Sequence, residues 1–238
     1  MYLYRFLLLT LLITAPAWAW SQSTTASSQS KDAQRAEDAA KTLKEVLRVP
    51  EQSIPEKLLR NAEAIIVMPE VVKMGLGIGG RRGKGLLVVR DDKGVWSNPS
   101  FVTFTGGSIG LQAGLQTADI ILVFKNKKGV ENIVNGKFTL GADAAVATGP
   151  VGRSAQISTD GQFKAEIFSY SRAKGLFAGI ALDGAVLKID NKANARVYGT
   201  GTTARMILEN RVRPNLASVI YFRDQIEEAT AQAQAAQE

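Results

Sequence analysis

Six of the eleven residues from 75 to 85 are glycine (Gly75, Gly77, Gly79, Gly80, Gly83 and Gly85), and the apolar run Leu86-Leu87-Val88-Val89 follows at once. Alternate positions of an extended strand share a face, so glycine at 75, 77 and 79 strips one face of its side chains and lets another layer approach closely. The same glycines match the spacing of a dinucleotide fingerprint. That site needs a helix opening at its last glycine, so that helix N–H groups face the pyrophosphate, whereas here a strand follows. Close packing is therefore the reading of this segment.

Beyond Pro69 short apolar runs are separated by turn signals, Asp91-Asp92-Lys93-Gly94, Asn126-Lys127-Lys128-Gly129, Asn135-Gly136, Asp160-Gly161 and Asp190-Asn191-Lys192. This punctuation predicts antiparallel hairpins. Ahead of them, Ala33, Ala36, Ala40, Leu43 and Leu47 recur at helical spacing up to Pro50, and Ser53 with Glu56 forms a capping box for a second helix whose core candidates are Leu58, Leu59, Ala62 and Ile65 or Ile66. Helix returns after Pro214, with Leu216, Val219, Ile220 and Ile226 on one face. The expected fold is α+β: N-terminal helices, a strongly bent antiparallel sheet or barrel-like sandwich from about Val71 to about Ile207, and a C-terminal helix.

The N-terminus carries one charge, Arg5, then the apolar run Phe6 to Ile13 and the small-x-small sequence Ala17-Trp18-Ala19, which reads as a secretory signal peptide over 1–19. Residues 20–30 are Ser/Thr/Gln-rich and read as a flexible lead, 31–227 as one domain, and 228–238 as a polar tail. Export makes the expected location periplasmic or secreted, with peripheral membrane association. With no cysteine, the fold must rest on an ordinary apolar core.

The chain also has no histidine. Zinc, copper and iron lose their usual ligands, and no acidic loop resembles a calcium hand, so neither metal nor cofactor is expected. Gly106-Gly107-Ser108-Ile109-Gly110 has the outline of a hydrolase nucleophile elbow, but no histidine stands by to deprotonate the serine. Asp143 is the acid best placed for a role, and a carboxylate accepting N–H bonds in a tight glycine-rich turn suffices for it. The chain therefore reads as no enzyme.

The formal charge is +7, or +6 once Arg5 leaves with the leader. Such a balance favours acidic partners, while the lack of basic segments interleaved with aromatics speaks against single-stranded nucleic acid. Lys73, Arg81, Arg82, Lys84 and Arg90 lie in and beside the glycine-rich stretch, and Lys125, Lys127 and Lys128 crowd a later turn. Beside an anionic bilayer each such charge is worth about 1 kcal/mol, screened by salt.

Four phrases stand in order along the chain: Trp96-Ser97-Asn98-Pro99-Ser100-Phe101, Phe138-Thr139-Leu140-Gly141-Ala142-Asp143, Gly149-Pro150-Val151-Gly152-Arg153, and Tyr170-Ser171-Arg172-Ala173-Lys174-Gly175-Leu176-Phe177-Ala178-Gly179. Together they resemble the SYLF domain, a lipid-binding module, over about Leu43 to Gly199. The resemblance implies a non-enzymatic module contacting anionic phospholipid at envelope membranes; eukaryotic relatives are associated with phosphoinositides and some with actin. An interaction module with an envelope protein as partner is the alternative. The eight basic residues named above are the expected lipid contacts.

Overall fold

The computed structural model describes residues 18–48, 53–151, 165–173, 176–177 and 180–236. The leader ahead of residue 18, Pro50, the Asp160-Gly161 turn and parts of the third and fourth phrases lie outside them.

Two long strands organise the molecule. β1 (Ala64–Val89) and β2 (Ser100–Phe124) pair antiparallel, from Ala64 opposite Phe124 to Leu87 opposite Ser100. The turn between them forms as expected: the Asp91 carboxylate accepts the N–H groups of Lys93 and Val95, and Gly94 takes φ +83°, which glycine adopts without strain. The layer that the glycines admit is the strand's own other half. A Cβ on Gly85 would lie 2.2 Å from the Val67 carbonyl oxygen, one on Gly83 2.6 Å from the Val71 side chain, and one on Gly79 2.2 Å from the Met74 carbonyl oxygen. Register shifts at Met68/Val71 and Gly75/Gly77 mark where the ribbon bends back.

β2 is also the centre of the sheet. Its first residues pair with β7 (Val186–Ile189) and its last with β5 (Ile167–Ala173); β3 (Lys137–Thr139) lies outside β7, and β4 (Val146–Thr148) and β6 (Leu176–Phe177) pair with β5. The β4–β5 pair is parallel, so the sheet is mixed and not wholly antiparallel. The connection over 149–166 exceeds the dozen or so residues a parallel return needs.

Period-two alternation divides the core. One face holds Ile65, Val67, Leu86, Val88, Phe101, Ile121 and Val123 beneath α1 (Trp18–Leu47) and the last helix. The other holds Ile66, Met68, Leu87, Val102, Phe104, Leu122 and Phe124. Ile65 and Ile66 are thus strand residues, and the sheet starts at Ala64, not Val71. α2 (Glu56–Arg60) has Pro55, not Ser53, at its N-cap with no side-chain cap bond; Ile54, as the residue before proline, is kept out of the helical region.

Five expected features give way to helix. Lys128-Gly129 opens α3 (Lys128–Val134), and Asp190 caps α4 (Asn191–Tyr198) by accepting the Ala193 N–H. α5 (Ala204–Leu208) occupies the end of the stretch expected as sheet. α1 begins at Trp18 and takes in 20–30, read from composition as a flexible lead; that segment contains neither Gly nor Pro to stop a helix. α6 (Ala217–Ala235) likewise runs through the expected tail, because Thr230 and Ala233 fall on the face buried with Val219, Phe222 and Ile226. Ile220 points outward instead.

Candidate functional site

The bent half of the ribbon extends past the sheet. Among the described residues β1 has β2 as its only ladder partner, and β2 between Gly106 and Ala118 pairs with β1 alone. Strand edges without partners carry unpaired N–H and C=O groups. On this arm Met74, Ile78 and Leu115 are 59%, 83% and 68% exposed, and Met74 stands directly opposite Leu115 in the ladder. Large apolar side chains this open, clustered on one projecting element, mark a contact surface more than a folding requirement.

Cations surround them. Arg82 and Lys84 are exposed and Lys73 half-buried, and none of the three has an ion-pair partner among the described residues. Arg81 is different: its guanidinium donates to the Ala181 carbonyl, and its Nε is buried without a partner. It braces the ribbon against the loop after β6.

The α1 helix stands beside the arm and is pinned there. The Asp32 carboxylate, 1% exposed, accepts from Arg196 Nε at 2.6 Å and Nη2 at 3.0 Å, with Arg35 3.3 Å away. Arg35 in turn donates to Asp190 at 3.1 Å and lies 5.1 Å from the centre of the Phe101 ring. The hydrogen bond to Asp32 raises the Arg196 pKa, so the guanidinium stays charged. Between α1 and the arm lies an open cleft of about 710 Å³, reached by Lys31 and Asp38 on the helix and by Val72, Met74, Arg82 and Lys84 on the strand.

The structure divides the eight sequence-predicted contacts. Lys73, Arg81, Arg82 and Lys84 share the arm. Arg90, Lys125, Lys127 and Lys128 gather at the opposite, open end of the ribbon, separated from the bend by about a dozen strand residues or roughly 40 Å along the strand. There Lys127 is bonded to Asp92 at 2.5 Å and lies 3.8 Å from Glu63; the Asp92 bond raises its pKa. Arg90 donates to the Arg60 carbonyl at 2.6 Å and lies over the Trp96 ring, while Lys125 lies over Phe168. Arg90, Lys125 and Lys127 thus each have an internal partner, while the Lys128 side chain is exposed. The apolar trio was missed because single large residues among glycines look like ordinary strand alternation; its signal is that Met74 and Ile78 are interleaved with glycine and bases and that Leu115 follows Gly114.

Ser108 lies inside β2 opposite Gly79, not on a strand-to-helix turn, so the nucleophile-elbow geometry is missing. Asp143 Oδ2 accepts the Thr139 N–H at 2.6 Å, and its own N–H donates to the Thr139 carbonyl, closing the turn after β3. Among the described residues no group of acidic side chains could hold a metal ion, and no helix is long and apolar enough to cross a membrane.

Comparison with known proteins gives the family described as Ysc84, Las17-binding protein actin regulator, matching residues 105–229, just over half of the chain. An SH3 domain-containing protein of Schizosaccharomyces pombe is 37% identical over 72% of this chain and 40% of its own length. LAS seventeen-binding protein 3 of Saccharomyces cerevisiae is 34% identical over 73% of this chain and 38% of its own. The human SH3 domain-containing YSC84-like protein 1 is 31% identical over 78% and 56% respectively. The chain therefore spans from about two fifths to just over half of these relatives.

Proposed function

This chain belongs to the Ysc84, or SYLF, family, and on that premise we propose that it is a non-enzymatic interaction module holding a protein partner against the bent arm of its ribbon. The carrying observation is the exposure of Met74, Ile78 and Leu115 beside Lys73, Arg82 and Lys84, which have no ion pair among the described residues. That surface suits a partner that is apolar at its centre and acidic around it. The name of the Saccharomyces cerevisiae relative, LAS seventeen-binding protein 3, and the family's description as Las17-binding support a protein as the partner class. Site-specific photocrosslinking tests this. A photoreactive residue at position 78, in cells that make the chain, should give one dominant protein adduct that the same residue at Lys93 does not. No adduct, or the same adducts at both positions, would sink the reading.

A convex, glycine-rich bend crowned by apolar side chains also fits an anionic phospholipid surface, and this is the second reading. Mature protein would then sediment with anionic vesicles and not with zwitterionic ones. The proposal includes an exported location, periplasmic or secreted, supported by the charged, apolar and small-residue pattern of 1–19. Sequencing the N-terminus of the protein from its native source should find Trp20 first; an intact Met1 would overturn it.

A further inference from the structure

The cleft between α1 and the arm is distinct in shape from the convex bend. At about 710 Å³ it falls within the usual range for pockets that enclose a ligand, roughly 300–1,000 Å³. Its two walls are preformed. The helix is fixed by the Asp32, Arg35, Asp190 and Arg196 ion pairs, and the strand by the close approach of its two halves at Gly79, Gly83 and Gly85.

Five basic side chains line the cleft against two acidic ones. Arg35 and Arg81 have internal partners, whereas Lys31, Arg82 and Lys84 are exposed and without an ion pair among the described residues. Of the acids, Asp38 accepts a hydrogen bond from the Gln34 amide at 2.9 Å. Pro69, Val72 and Met74 supply apolar lining between the charges. The strand in the wall is β1, whose second edge has no ladder partner among the described residues.

We infer that this cleft binds an extended segment of a protein partner in which an apolar side chain is flanked by acidic ones; the inference rests on the interaction-module reading above. Charge complementarity selects the acids, and the apolar lining selects the central side chain. A flat bilayer is the poorer occupant, since the α1 helix stands over the concave space that the strand residues line.

Panning random twelve-residue peptides, displayed on phage, against the whole chain tests this. Enriched sequences should place acidic residues on both sides of an apolar one. Their binding should fall about tenfold or more on the double charge reversal Arg82→Glu with Lys84→Glu, and stay unchanged on Lys128→Glu at the open end. Both reversed residues are exposed and without an ion pair among the described residues, and a thermal melt confirms the fold. Val72→Asp gives a second route, with the same expected loss through the apolar lining.

Neutral or basic consensus peptides would overturn the inference, as would acidic ones that bind the reversed chain equally well. Anionic vesicles that bind and are lost on the same double reversal, with no peptide enriched, would give these cations to a bilayer and also overturn it. Failure of the peptides with a position-78 protein adduct still present removes the cleft and leaves the module. Failure of both removes the module reading as well.

Discussion

The two ends of the β1–β2 ribbon are made of the same pair of strands and treat their side chains in opposite ways. At the open end Ile65, Val67, Leu86, Val88 and Phe101 are buried under helices, and the charges of Lys127 and Arg90 are taken up by neighbours. At the bend Met74, Ile78 and Leu115 face solvent, Arg82 and Lys84 have no ion pair among the described residues, and the strand edges are open. The difference separates what the fold needs from what it leaves available. Burial at one end supplies the stability that lets the other remain unsatisfied, and an unsatisfied surface on a rigid support is where binding is found.

If that division is right, the largest loss of stability should come from the anchor that holds α1 over the buried end. Asp32→Ala removes the buried acceptor that Arg196 and Arg35 share, leaving Arg35 with Asp190 alone and the partly exposed Arg196 without its bonded carboxylate, at a cost of about 3 kcal/mol. Urea denaturation measures it. A loss below about 1 kcal/mol would mean that the helix is held by its apolar face alone and that the cleft wall is not fixed.

Next come the glycines where the strand meets itself. Gly79→Ala brings a Cβ to 2.2 Å from the Met74 carbonyl oxygen and 2.6 Å from the Gly75 Cα, so the halves must part, at about 1–3 kcal/mol. Gly107, one position along from Gly106 on the other strand, has nothing within 4 Å of the same added atom. Gly107→Ala should therefore be neutral or raise stability by up to about 1 kcal/mol, through the backbone entropy that glycine loses on folding. Equal effects in parallel thermal melts would show that glycine at the bend is not there for close approach.

How much of this could be read before the structure depended on how local the cause was. The Asp91 to Gly94 turn, the strand after Gly85 and the helix over Val219 and Ile226 follow from contacts within a few residues, and their sequence signals were sound. The family resemblance was borne out by the family match, which takes in the Phe138 phrase. The fold-back of β1 on itself was half legible: close approach could be read from the glycines, but the identity of the approaching layer is a matter of tertiary register. The Lys125, Lys127 and Lys128 group looked like the Arg81 to Lys84 group in sequence because charge spacing does not reveal that Asp92 lies against Lys127. Helix at 20–30 and 228–235 was missed since composition measures polarity, while a helix needs only one buried stripe, here Thr230 and Ala233, or the absence of breakers.

The smallest effect on stability should belong to the residue that matters most at the bend. Ile78 is 83% exposed, so it contributes little burial to the folded state, and a surface change of this kind usually shifts stability by no more than about 0.5 kcal/mol. Ile78→Asp should accordingly melt like the parent chain while losing whatever the arm holds, because a carboxylate would replace the apolar centre of the contact and repel acids in the partner. The side chain is either a folding residue or a binding residue, and the two measurements separate those roles without assuming a partner class. A drop in melting temperature of several degrees would mean that the bend packs more tightly than its exposure implies, and the contrast between the two ends of the ribbon would fail at its most exposed point.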